Sequence, residues 1–343
     1  MKYSDAGVSI DKGNAFVERI KPLARSTFRK GVLSGIGGFA GLFEIDTKAY
    51  RHPVLVTSTD GVGTKLKIAF EMGIHTTVGI DLVAMNVNDI VVNGAQPAVF
   101  LDYIALSKIR LTVVTDIVKG IVNGCRQAEC VLIGGETAEL PGFYAEGEYD
   151  LAGFVTGVVE KDRILDGSDI RQGDVLIGVA SSGLHSNGYS LARYVLLEKK
   201  KMKLGAYSDE LGCTLGEELL RPTIIYVRLM KKLAERNLIK AAAHITGGGI
   251  IDNLPRVFPK HFGAVINTGS WETPRIFDMI RSLGSVGPEE MLRTFNNGLG
   301  MILVVDRNKA GRVLDTIRTL KQKATVIGEM RRLSTGGQQV EFL

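Results

Sequence analysis

The sequence predicts a mixed α/β protein built as two domains, each a mixed sheet packed with helices. Short runs of β-branched and aliphatic residues alternate with longer amphipathic stretches. A polar segment at 161–173 interrupts that alternation before it resumes. The 343 residues, 45% of them hydrophobic, supply enough apolar mass for two cores.

In the first domain, strand-like runs fall at 54–58, 77–80, 99–106 and 131–133. Helical patterns lie at 82–92 and 113–128, and a strand at 151–159 closes the unit. The segment 161–173, KDRILDGSDIRQG, is polar and rich in turn residues, so the boundary falls within it, dividing 51–168 from 169–343. The second domain opens on a strand at 175–180. It continues with helices expected at 189–199, 223–236, 274–282 and 309–320, and strands at 264–266, 300–305 and 326–329. Residues 1–50 read differently, because GVLSGIGGFAGLF holds too many glycines for a stable helix or strand and follows a basic stretch from Lys21 to Lys30. That composition fits a mobile lid on the first domain.

The formal charge of +5 is spread among nearly as many acids, and no nucleic-acid motif accompanies it, so a nucleic-acid partner is not expected. The N-terminus lacks the apolar core of a signal peptide, and no window reaches the length of a membrane span. A soluble, cytoplasmic protein is expected. Cys125, Cys130 and Cys213 form neither a CxxC pair nor an even framework and are read as free thiols in a reducing compartment.

The segment TSTDGVGTK delivers Asp60 from a strand into a turn containing Gly61, Gly63, Thr64 and Lys65, and a helical stretch then presents Asn88 and Asp89. Carboxylates are the hard ligands Mg²⁺ prefers, glycines let backbone amides approach phosphate, and a lysine offsets charge in phosphoryl transfer. The motif IGGETAELPG places Glu136 just after a buried-type strand as a third metal-ligand candidate. Gly35, Gly37 and Gly38 form a flap that either folds over a triphosphate near Lys21 or is a plain flexible connector. It lacks the preceding strand of a dinucleotide fingerprint, and no GxxxxGK[ST] loop occurs. In SSGLHSNGYS, Ser182, Ser186 and Asn187 precede a helix as a phosphate-type loop, with His185 offering charge or a proton. Thr246, Gly247, Gly248 and Gly249 form a second such loop after His244. Each loop read alone has a bland alternative, an ordinary turn or a capped helix.

Together, DGVGTK at 60–65, GIDLVAMNVND at 79–89, GGETAELPG at 134–142, SSGLHSNGYSL at 181–191 and HITGGG at 244–249 closely resemble the phosphoribosylformylglycinamidine cyclo-ligase family, the aminoimidazole ribonucleotide synthetases. The likeness extends to YSDAGVSIDKGNAFVERIK at 3–21 and RTFNNGLGM at 293–301, so it spans nearly the whole chain. It implies ATP-dependent closure of formylglycinamidine ribonucleotide to 5-aminoimidazole ribonucleotide, with ADP and phosphate released. It also implies a homodimer paired through the amino-terminal sheet. By motif, the resemblance assigns Asp60, Asp89 and Glu136 to Mg²⁺ and Lys65 and Asn88 to phosphate. Lys21 and the 35–41 flap face ATP, while the 182–187 and 246–249 loops hold the substrate or its ribose phosphate, with His185 in proton transfer or charge stabilisation. Selenophosphate synthetase and thiamine-monophosphate kinase share the aspartate-rich first domain, but His244 and a flap without cysteine disfavour selenium chemistry. A nucleotide-binding scaffold without turnover is the reading from a different class.

Overall fold

In a computed structural model of the chain, residues 10–334 and 337–343 are described; the part of the 3–21 motif before residue 10 lies outside the described residues. The chain divides into two compact units, the first running up to Ile90 and including Ala95–Lys161, the second comprising Val91–Gly94 and Asp162–Leu343.

The first unit begins with α1 (Ile10–Arg25), followed by β1 (Pro53–Gly61), α2 (Leu66–Met72), α3 (Thr76–Val91), β2 (Gln96–Leu106), α4 (Leu111–Gln127), β3 (Val131–Glu139) and β4 (Tyr149–Glu160). Its sheet runs β1-β4-β2-β3, with β2 and β3 parallel and the other pairs antiparallel. Exposure alternates along β1 and β4 because successive side chains point to opposite faces. One face packs on helices, with Phe100, Ile104 and Val155 buried there beside Val83, Val87, Ile117 and Ile121 of α3 and α4. The other face leaves Leu55, Leu101 and Phe154 exposed, and Leu101 pairs directly with Phe154.

The strand expected at 77–80 is instead the first turn of α3. Thr76-Thr77-Val78 has a local β preference, but tertiary packing overrides it. Helices α3 and α4 cross backbone to backbone at two glycines. A Cβ on Gly79 would lie 2.3 Å from the Ile117 carbonyl oxygen, and one on Gly120 would lie 2.0 Å from that of Thr76. Gly120→Ala is therefore expected to lower stability by about 1–3 kcal/mol through overpacking, despite alanine's better helix propensity. A lower urea midpoint at unchanged slope is the expected reading, and an unchanged midpoint would contradict this crossing.

The second unit contains β5 (Val175–Ala180), α5 (Tyr189–Arg193), a two-residue ladder of β6 (Tyr207–Ser208) and β7 (Cys213–Thr214), α6 (Leu215–Leu219), α7 (Val227–Glu235), β8 (Ala241–His244) and α8 (Gly249–Asn253). It ends with β9 (Phe262–Ile266), α9 (Arg275–Gly284), α10 (Pro288–Thr294), β10 (Leu299–Val305), α11 (Ala310–Thr319), β11 (Ala324–Arg332) and β12 (Val340–Phe342). The expected helix at 189–199 is split into α5 and a π-helical turn at Tyr194–Lys199. The one expected from 223 starts only at Val227, because Thr223 and Ile224 are drawn into contacts with the 182–187 loop.

The six strands order as β12-β9-β11-β5-β10-β8. Strands β5 and β8 are each antiparallel to β10, so Ala180, His244 and Leu299 all lie at one end of the sheet. The loops that leave those positions are thereby gathered at that end. Below them, Leu176, Ala243, Ile250, Leu254, Ile302 and Ile327 belong to one buried apolar cluster.

Candidate functional site

In the first unit, β1 and α3 bring two of the three proposed metal ligands together. Ser58 and Asp60 alternate onto the helix-facing side of β1, and the Ser58 hydroxyl donates to Asp89 Oδ2 at 3.4 Å. Asp60 Oδ1 accepts the amide of Gly61 at 2.8 Å. Both aspartates are half-buried, so their oxygens remain within reach of solvent. Gly61 must be glycine, since a Cβ there would stand 2.9 Å from the Leu151 carbonyl oxygen; Gly63 turns the chain with φ +70°.

Glu136 does not join them within one chain. Asp60 pairs with Gly153, Gly153 with Asp102, and Asp102 with Gly135, which puts Glu136 three strands away, about 14 Å in the hydrogen-bonding direction. Glu136 also pairs with Tyr103 and so lies on the opposite, exposed face. It sits inside β3, not in a loop after a strand. Among the described residues, no group of three or more His, Cys, Asp or Glu side chains is placed to hold a metal. Two neighbouring carboxylates still suit Mg²⁺, which commonly takes one or two protein oxygens and completes its shell with phosphates and water.

Two further expectations are corrected. Lys65 is completely buried, its Nζ 2.8 Å from Asp81 Oδ2, so it neutralises a core carboxylate and does not face a phosphate. Burial pushes the Lys65 ammonium below its ordinary pKa, against the opposing pull of Asp81. Asn88 is likewise fully enclosed, about two turns along α3 from Asp81. Asp81 was not legible as the partner of Lys65 because a lone aspartate in an apolar helix looks like a solvated position. Lys21, by contrast, lies near the flap as expected. It pairs with Glu18, and a Cβ on Gly37, which has φ +112°, would come 3.5 Å from Lys21 Cε. The flap is a loop closed at its base by the Val32–Phe43 bridge, with Gly35 and Gly38 at exposed positions.

Asp102 was missed altogether. It faces the helix side of β2, and Gly135 gives it room, since a Cβ on Gly135 would stand 2.2 Å from Asp102 Oδ1. Burial raises its carboxyl to about 7, with Glu136 adding repulsion. The unfolded chain releases this proton near pH 4 and the native one near 7, so between those values the native state holds the extra proton and stability falls as pH rises. Asp102→Asn removes that slope. Relative to wild type, the variant is expected to gain about 2–3 kcal/mol on going from pH 5 to pH 8 in urea titrations. A difference that does not change with pH would contradict a buried, proton-holding Asp102.

In the second unit the two expected substrate loops meet. Asn187 Oδ1 accepts the Gly247 amide at 2.9 Å. Asn253, which the sequence reading passed over, ties the glycine run from beneath, its Nδ2 donating to the carbonyls of Gly247 at 3.0 Å and Gly249 at 2.8 Å. The Gly249 amide closes on Thr246 at 3.0 Å, so two amides of this supposed anion nest are used within the protein. Gly248 turns with φ +92°. The other loop is buttressed by 222–224: Ser182 Oγ donates to the Pro222 carbonyl at 2.6 Å, and Ser186 and Thr223 hydroxyls lie 3.0 Å apart.

His185 belongs to this buttress. Only 1% exposed, it receives the Ser182 amide on Nε2 at 3.2 Å and that of Ile224 at 3.5 Å. An acceptor Nε2 places the ring proton on Nδ1 in the neutral tautomer. Its ring lies near Tyr226 and over Gly300, where a Cβ would come 2.5 Å from His185 Cε1. Against the expectation of a proton-transfer or charge-stabilising role stands this burial: His185 shapes the loop from inside, at a left-handed φ of 59°.

Residues 40–159 match the family described as AIR synthase related protein, N-terminal domain, and residues 171–336 match the corresponding C-terminal domain. The chain is 51% identical over 342 residues to the phosphoribosylformylglycinamidine cyclo-ligase of Desulfatibacillum aliphaticivorans, covering 100% of this chain and 99% of that one. It is 56% identical over 330 residues to that of Thermoanaerobacter pseudethanolicus, covering 96% and 97%. Among solved structures it resembles thiamine-monophosphate kinase from Stenotrophomonas maltophilia, with TM-score 0.68, 19% identity and 94% and 95% of the two chains covered. It also resembles hydrogenase maturation protein HypE in complex with ATP, with TM-score 0.66, 16% identity and 95% and 91% covered. At such identities these two establish the fold alone.

Proposed function

Because this chain belongs to the phosphoribosylformylglycinamidine cyclo-ligase family, we propose that it closes the imidazole ring of 5-aminoimidazole ribonucleotide in purine biosynthesis, using one ATP per ring. The observation that carries the reading is that Asp89 of α3 reaches Ser58, two residues before Asp60 on the same face of β1, in a chain that matches its relatives end to end. The formyl amide oxygen of formylglycinamidine ribonucleotide attacks the γ-phosphorus of ATP and ADP leaves. An amidine nitrogen of the same substrate then adds to the activated carbon, and the oxygen departs as phosphate. Amide oxygen is a poor leaving group and phosphate a good one, so phosphorylation makes the cyclisation feasible. Nucleophile and electrophile share one molecule, which lowers the entropic cost of ring closure.

Asp60 and Asp89 would hold Mg²⁺, which when bound screens the triphosphate charge. In this proposal Lys21 and the flap glycines meet ATP, and the joined loops at 182–187 and 246–249 orient the substrate. Among the described residues no helix is long and apolar enough to cross a membrane. A coupled assay tests the reading. ADP release that requires formylglycinamidine ribonucleotide and yields aminoimidazole ribonucleotide supports it; ADP release that requires thiamine monophosphate instead, or nucleotide binding without turnover, overturns it.

The exposed outer face of the first sheet completes the proposal. Leu55, Leu101 and Phe154 are 59, 38 and 44% exposed there, an apolar surface on which a second copy of the chain would pack. Glu136 lies on that outer face as well, toward the partner and away from the helix side that holds Asp60 and Asp89. Phe154→Glu is expected to yield monomers by light scattering. A wild-type protein that is already monomeric at assay concentration would contradict the dimer.

A further inference from the structure

A cavity of about 380 Å³ opens wholly within the second unit, where the ends of β5, β10 and β11 meet the loop before α9. None of the residues assigned above to metal, nucleotide or substrate lines it. Its floor is made of small residues, including Ala180 and Gly298. Gly298, at φ +96°, cannot be larger, since a Cβ would stand 2.6 Å from Pro274 Cδ. One wall is Trp271, the chain's only tryptophan. Its indole Nε1 donates to the Asn297 carbonyl at 2.8 Å, which fixes the ring and spends its polar atom, so what it offers the cavity is aromatic surface. At the mouth, Glu272 and Lys323 face each other at 3.9 Å, both largely exposed, and Thr325 adds a hydroxyl.

We propose that this cavity binds a ribonucleoside monophosphate whose aromatic base carries an exocyclic amine. The base lies against Trp271, the amine donates to the Glu272 carboxylate, and the phosphate meets the Lys323 ammonium. The volume falls in the range of sites for small organic ligands, and stacking of a base on an aromatic ring requires only the π-face that Trp271 provides. The loose, solvated Glu272–Lys323 pair is cheaply exchanged for two ligand contacts of matching sign. One lysine opposed by one glutamate favours a monophosphate over the denser charge of a triphosphate. The inference is independent of the ring-closing activity.

Because Trp271 is the sole tryptophan, its emission reports on this cavity. AMP is titrated into the full-length protein with a saturating nonhydrolysable Mg·ATP analogue present to occupy the first unit. A saturable quench is expected, with affinity lowered at least about tenfold in Lys323→Glu and in Glu272→Ala, in keeping with the loss of a charge-assisted contact. IMP, which lacks the amine, is expected to bind more weakly, and ribose 5-phosphate to give no quench. Trp271→Phe loses the signal but retains binding of labelled AMP in equilibrium dialysis. No saturable quench at millimolar AMP, an unchanged affinity in both charge variants, or a quench abolished by the ATP analogue overturns the proposal.

Discussion

Asp60→Asn and Asp89→Asn are each expected to reduce turnover by about two to four orders of magnitude, the equivalent of several kcal/mol of charge stabilisation at the transferring phosphoryl group. The substitution keeps volume and hydrogen-bonding capacity nearly constant and removes one hard anionic oxygen. Both residues are half-buried at the edge of β1 and α3, where Ser58 donates to Asp89 and the Gly61 amide to Asp60, contacts that an isosteric asparagine can still accept. An unchanged urea midpoint is therefore expected alongside the lost activity. Raising Mg²⁺ should restore part of the turnover, since the defect lies in cation affinity. Variants within twofold of wild type would remove both residues from the metal site.

Lys65→Met is expected to act on stability, not on phosphate. It leaves the Asp81 carboxylate uncompensated where neither side chain has measurable exposure, a loss of about 3–5 kcal/mol. The double variant Lys65→Met, Asp81→Leu replaces the pair by apolar side chains of similar bulk and should recover most of that loss, because a buried ion pair's attraction largely offsets its own desolvation. Urea denaturation of the two singles and the double closes a mutant cycle that reads the coupling directly. Normal stability in Lys65→Met together with a large rise in the Kd for Mg·ATP would return Lys65 to the phosphate.

The sequence carried the periodic elements well. Strands β1, β2, β4, β5 and β10 lie where alternating or continuous apolar runs put them, and α4 follows its amphipathic stripe. The first turn of α3 was not legible, because its β-branched residues favour a strand and the reason they form a helix is Gly120 on another element. Helix α1 was hidden by its basic residues and an internal proline. Of the site, the approach of α3 to β1 was suggested by motif order, although α2 lies between them in sequence. The fates of Lys65 and His185 were not, because the charge of a side chain says nothing about the partner that buries it. For Glu136, the residue type was informative but the sheet order was not: only β1-β4-β2-β3 shows that it stands at the opposite edge, on the opposite face.

The most direct test of the proposed chemistry follows the oxygen. Formylglycinamidine ribonucleotide labelled with ¹⁸O in its formyl amide is turned over with unlabelled ATP, and the released phosphate is analysed by mass. Transfer of one ¹⁸O into phosphate per ring closed is the predicted result. Ring closure with unlabelled phosphate, the isotope passing to water instead, would contradict activation of that oxygen by ATP.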